Sequence, residues 1–127
     1  MTGLVLDAGA LIALEQGDRA VATDLRVARA EGQFVCTTSM VLAQVWRGGS
    51  GRQARMARLL HHVEVMSIDA DHGRRTGELL GATGMADAVD ASLVLVAKDG
   101  DHILTSDLAD IQRLADAAGR RVTVVGC

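Results

Sequence analysis

The sequence predicts an α/β domain with a mainly parallel sheet between helix layers, and three observations carry that prediction. Short apolar runs alternate with longer amphipathic stretches along the whole chain. The links between them are only a few residues long. The 127 residues hold no proline to interrupt a helix, and 14 glycines to make the turns.

Taken in order, Leu4-Val5-Leu6 is a short buried strand. Residues 8–16 and 19–30 read as helices, with Gly17 as the break between them. Phe34-Val35-Cys36 is a second strand. Residues 39–47 place Val41, Leu42, Val45 and Trp46 at helical spacing, and Gly48-Gly49-Ser50-Gly51 ends that helix. Residues 52–62 form another helix. Val63, Val65 and Ile68 mark a third strand, followed by a helix over 69–82. Residues 86–98 are helical and largely apolar. Ile103-Leu104-Thr105 is a fourth strand, 108–118 a helix, and Val122-Thr123-Val124-Val125 the last strand.

Composition narrows the classes. Hydrophobic residues make up 49%, far above a disordered chain, and one domain of this length buries its own core. Aromatics are 2%, Phe34 and Trp46, so Leu, Val, Ile and Ala fill that core. The net charge of −3 argues against a general polyanion binder with a strongly basic surface. It does not exclude an enzyme acting on RNA, because local charge outweighs the sum. Cys36 and Cys127 stand at no metal-ligand spacing and read as free thiols in a reducing cytosol. The first residues lack a basic region and reach Asp7 too early for a signal peptide. No apolar run approaches the roughly 18 residues of a membrane span. The expectation is a cytoplasmic protein with no membrane partner.

In parallel sheets, function gathers at the carboxyl ends of the strands. Asp7 directly follows the first strand, and Asp107 follows Ile103-Leu104-Thr105-Ser106, so both belong at one sheet edge. Asp87 begins the helix before the Asp107 strand. Asp90 lies one turn further on the same face, and Asp110 stands in that relation to Asp107. For each acid alone the competing explanation is helix capping. Asp90 resists it, because it interrupts an apolar helix where an unpaired carboxylate is costly. Converging acids need a counter-charge, and Mg²⁺ or Mn²⁺ prefers carboxylate and water. No His or Cys clusters with them, which argues against zinc. Carboxylate-held Mg²⁺ points to phosphoester chemistry.

Four motifs stand in sequence: Leu4-Val5-Leu6-Asp7-Ala8-Gly9-Ala10-Leu11-Ile12, Thr38-Ser39-Met40-Val41-Leu42-Ala43-Gln44-Val45-Trp46-Arg47, Ala86-Asp87-Ala88-Val89-Asp90-Ala91 and Leu104-Thr105-Ser106-Asp107. In this order they resemble a PIN domain of the VapC type, the toxin half of a bacterial VapBC toxin–antitoxin pair. The resemblance spans nearly the whole chain. It implies a PIN-like three-layer α/β/α fold as a single domain over residues 1–127. It also implies a Mg²⁺- or Mn²⁺-dependent endoribonuclease acting on structured RNA such as transfer or ribosomal RNA. The family is typically homodimeric, with a VapB-like antitoxin whose C-terminal tail blocks the acidic pocket. Carried over residue by residue, the metal-binding acids are Asp7, Asp87 and Asp107, and Thr105 takes the small hydroxyl position before the last acid.

The second acid is a departure. Where the family has Glu, this chain has Gln44, which keeps an acceptor oxygen without a charge. Metal affinity should fall, and Gln44 can instead orient a metal-bound water. Asp90, where an aliphatic residue is common, is a candidate to replace the missing charge.

Residues 32–63 hold no acid, and Arg47, Arg52, Arg55 and Arg58 fall among them. The last three recur every third residue. They read as contacts for RNA phosphates, or as a solvated face or dimer surface. His61 and His62 adjoin a helix end, and His72 and His102 are expected at the surface. Trp46 is expected in the core or an interface, since Leu42 and Val45 share its face.

Rival chemistries fit less well. A phosphotransferase of the haloacid-dehalogenase pattern needs a second acid two residues after Asp7, where Gly9 stands. A receiver domain needs paired acids after its first strand, which Asp7-Ala8 does not supply. With Gln44 in place of Glu, a catalytically weak domain that binds RNA or its antitoxin remains the alternative. Metal-dependent RNA cleavage separates the two.

Overall fold

The computed structural model describes residues 2–48 and 53–127. Five strands form one sheet: β1 (Leu4–Leu6), β2 (Val35–Thr38), β3 (Glu64–Met66), β4 (His102–Thr105) and β5 (Thr123–Gly126). Their order is β3-β2-β1-β4-β5, and every neighbouring pair is parallel. Among the described residues seven helices flank the sheet: α1 (Ala8–Glu15), α2 (Arg19–Ala30), α3 (Ser39–Val45), α4 (Ala54–Leu60), α5 (Ala70–Thr83), α6 (Ala88–Val96) and α7 (Leu108–Ala117). Helices α5, α6 and α7 pack on one another, and α1 packs on α2, α3 and α4. This is the α/β/α architecture expected from the alternating pattern.

The helices follow from spacing and caps. α2 buries Val21, Leu25 and Ala28, and α5 buries His72, Thr76 and Leu79, each at i, i+4 and i+7. Asp18, Thr38 and Asp69 cap α2, α3 and α5 by accepting backbone N–H bonds of 2.8–3.1 Å. Gly84 ends α5 in the left-handed conformation, φ 70°. β1 is buried along its whole length. Leu6, Leu11, Leu93, Ile103, Ile111 and Leu114 fill the core beside it. Each such side chain contributes about 1.5–3 kcal/mol through burial.

Some boundaries and placements differ from the sequence reading. β2 runs on to Thr38, because Thr37 is buried and its hydroxyl donates to the Leu6 carbonyl at 2.7 Å. The helix expected over 86–98 begins at Ala88, since Asp87 is its cap. His72 is not at the surface: it is buried between α5 and α6, with Nε2 2.9 Å from the Ser92 carbonyl oxygen. Trp46 is not in the core but 41% exposed, because the chain leaves helical geometry at its C-cap position. Cys36 and Cys127 are free thiols, as expected. No single helix among the described residues is long and apolar enough to cross a membrane.

The topology selects the functional edge. From β1 the chain steps outward through β2 and β3, then returns to the other side of β1 for β4 and β5. The winding therefore reverses between β1 and β4. Crevices outside the carboxyl ends of strands at such a reversal are where ligands bind in open α/β sheets.

Candidate active site

Asp7 and Asp107 stand at that reversal. Leu6 pairs with Leu104, and Asp7 N–H donates to the Leu104 carbonyl at 3.1 Å, so the two strand ends are held side by side. Asp7 is 5% exposed and both its oxygens are engaged. Oδ1 accepts from Ala10 N–H at 2.8 Å, capping α1, and Oδ2 accepts from Ser106 N–H at 3.1 Å. Neutral amides orient this carboxylate without cancelling its charge.

Asp107 is exposed and begins α7, yet its side chain caps nothing. Its own N–H donates to Thr105 Oγ1 at 2.8 Å, so the buried threonine hydroxyl fixes the turn. Capping is therefore weaker at Asp107, whose carboxyl nonetheless lies near the Asp110 amide and carboxyl at the start of α7. For Asp87 it holds: Asp87 Oδ1 accepts Asp90 N–H at 3.0 Å at the start of α6. One oxygen of Asp87 is left uncommitted by that bond.

The acids act on one another through their charges. The Asp90 carboxyl is pushed up from 3.8 to about 7, first by burial and then by the charges of Asp87, Asp7, Asp107 and Asp110. Asp107 is raised as well, by lost hydration first and then by Asp110 and Asp7. Among the described residues the one ion pair is Arg75–Asp71 on α5, so no protein cation pairs with these acids.

This donor set is hard carboxylate oxygen. Among the described residues no three acidic, His or Cys side chains close up into a ready-made cage. Mg²⁺ does not require one, since it keeps several waters and takes one or two carboxylates. In donor type, Asp7, Asp87 and Asp107 therefore fit such an ion.

Gln44 is exposed in the last turn of α3, a helix that packs against both α1 and α6. Of the arginines, Arg47 folds back onto the Ala43 and Trp46 carbonyls. Arg55 Nη1 donates to the Glu15 carbonyl at the C-terminal end of α1. Arg52 lies outside the described residues. Arg55 and Arg58 line a cleft of about 260 Å³ with Leu14, Leu59 and the acid Glu15. Those same two leucines also line a neighbouring cleft that Arg26 and Arg29 border. Sequence reasoning missed this pair of adjoining arginine-bordered clefts, because the arginines come from two distant helices.

No protein-family model and no curated protein matches the sequence. Solved structures do match in fold. A chain of VapBC2 from Rickettsia felis, bound to a promoter DNA fragment, aligns over 98% of both chains with TM-score 0.73 at 13% identity. A chain of DNA-bound VapBC from Salmonella typhimurium aligns over 98% of both, with TM-score 0.65 at 17% identity. A chain of FitAB bound to the IR36 DNA fragment covers 97% of this chain and 94% of its own, with TM-score 0.65 at 15% identity. The chain therefore has a PIN-like α/β/α fold, shared over nearly its full length with chains of these VapBC and FitAB structures.

Proposed function

We propose that this chain is a metal-dependent endoribonuclease, the toxin of a toxin–antitoxin pair. One observation carries the reading: acids from three separate chain segments lie within electrostatic reach of Asp90 beside the winding reversal, and no ion pair among the described residues engages them. Mg²⁺ or Mn²⁺ would be held by Asp7, Asp87 and Asp107, with Asp90 beside them. When bound, such an ion lowers the pKa of a water and offsets charge building on the phosphate. The chain's own contribution is orientation. Ala10 and Ser106 amides aim Asp7, Thr105 sets the turn of Asp107, and the cap of α6 sets Asp87. Hydrolysis then breaks one P–O bond of RNA and adds water across it.

The deciding experiment is RNA cleavage by purified protein, free of partner, with and without Mg²⁺. Asp7→Asn keeps the shape and one acceptor oxygen but removes the charge and turns an NH₂ toward one of the two backbone N–H donors, Ala10 or Ser106, and cleavage should fall to background. Full activity in that variant, or cleavage that persists in EDTA, refutes the site. Folded wild-type protein that binds RNA but never cuts it supports the alternative of a weak, binding-only domain.

Partners are part of the proposal. The solved relatives crystallised as two-component complexes, which supports a cognate VapB-like antitoxin here. The groove bordered by Arg26, Arg29, Arg55 and Arg58 suits an acidic, apolar segment of such a partner. The homodimer expected from the resemblance is likewise proposed, and light scattering at micromolar concentration tests it.

A further inference from the structure

The turn carrying Asp107 lies against the first turn of α1, and one glycine makes that approach feasible. A methyl group on Gly9 would overlap both the Oγ and the Cβ of Ser106 and come within 3.3 Å of its backbone nitrogen. The Cβ cannot swing away as a flexible side-chain end would, so the Ser106 backbone would have to move. That backbone carries the N–H that donates to Asp7 Oδ2. On its other side Ser106 is bonded to Thr105 and Asp107, whose N–H is anchored to the buried Thr105 hydroxyl. One contact therefore couples the aim of Asp7 to the position of Asp107, across 99 residues of sequence.

From this geometry we propose that Gly9 and Ser106 are positioning residues that lock the Asp7 carboxylate to the β4–α7 turn. Neither touches the cation or the RNA in this scheme. The inference rests on the metal-dependent reading above and adds a physical reason for a glycine in the first turn of α1. Losing a partner that orients a metal-binding carboxylate typically lowers metal affinity or activity by about 10–100-fold.

The test compares wild type, Gly9→Ala and the double variant Gly9→Ala/Ser106→Gly. Three quantities are read on each: Mn²⁺ affinity by calorimetry, kcat and KM for RNA, and stability in urea. Gly9→Ala should weaken Mn²⁺ binding and lower kcat by about 10–100-fold with KM little changed. The double variant, which removes the obstructing Ser106 atoms but keeps its N–H, should recover most of both. Unaltered Mn²⁺ affinity in folded Gly9→Ala overturns the proposal. So does a double variant that regains stability but not Mn²⁺ affinity, since that outcome makes the contact merely structural. If Gly9→Ala does not fold, the wild-type amides decide. On titration with Mg²⁺ the Ser106 and Ala10 resonances should move together, because both donate to one carboxylate, and a shift of Ala10 without Ser106 overturns the lock. Wild type that binds neither Mn²⁺ nor Mg²⁺ refutes the metal reading itself, a result distinct from normal binding that Gly9→Ala leaves intact.

Discussion

Replacing Asp90 with Asn should stabilise the metal-free protein at neutral and alkaline pH and do little near pH 4. Burial and four neighbouring acids raise the Asp90 carboxyl from 3.8 to about 7. Below pH 3.8 it is protonated in both folded and unfolded chains and contributes no pH dependence. Between 3.8 and about 7 the unfolded chain releases the proton while the folded chain keeps it, so stability falls as pH rises. Above about 7 both forms are ionised and the penalty is complete. At roughly 1.4 kcal/mol per pH unit, that interval sets a ceiling of about 4 kcal/mol. Asp90 is only half-buried, and water screens its neighbours, so about 1–2 kcal/mol is the realistic gain. For a domain of this length that corresponds to a rise in Tm on the order of 5 °C. The assay is thermal unfolding in EDTA from pH 4 to pH 8.5, wild type against Asp90→Asn. The two curves should meet at the acid end and separate toward pH 7. Curves that run parallel across the range would show that Asp90 does not feel the other acids, and the convergence argument would fail with it.

Three further outcomes follow from the same geometry. Mn²⁺ should raise the melting temperature of wild type by binding only the folded state, and Asp87→Ala should remove most of that rise; an equal rise in both proteins puts the metal elsewhere. Gln44→Glu should tighten Mn²⁺ binding about tenfold if the side chain reaches the acids, because an added anion favours a bound cation. Calorimetry reads it, and recovery of activity in Gln44→Glu/Asp90→Ala over Asp90→Ala alone would show that Asp90 replaces the missing charge. Arg55→Gln with Arg58→Gln should flatten the salt dependence of RNA binding if these arginines touch phosphates; an unchanged slope with weakened antitoxin binding assigns them to the partner groove.

The sequence by itself determined the layered α/β fold and the edge of the sheet that matters. Alternating short apolar runs and amphipathic stretches leave few other ways to bury both sheet faces. An acid placed at the end of a strand-forming run emerges at that strand's carboxyl end, and Asp7 and, two residues past Thr105, Asp107 both do so. What sequence could not supply was anything set by the packing of distant segments. Capping at Asp87 and its absence at Asp107 are indistinguishable in a string of letters, and only the turn geometry separates them. His72 looks polar and exposed until α6 covers it and offers the Ser92 carbonyl. Trp46 looks like a core or interface residue until the helix ends at Val45, two residues short of the expected Arg47, and leaves it at the surface. The strand order, with its reversal between β1 and β4, emerged only from pairing. That reversal brings Gly9 against Ser106 and makes a plain glycine part of how the acids are held, since contact across 97 positions depends on the folded chain and leaves no trace in local pattern.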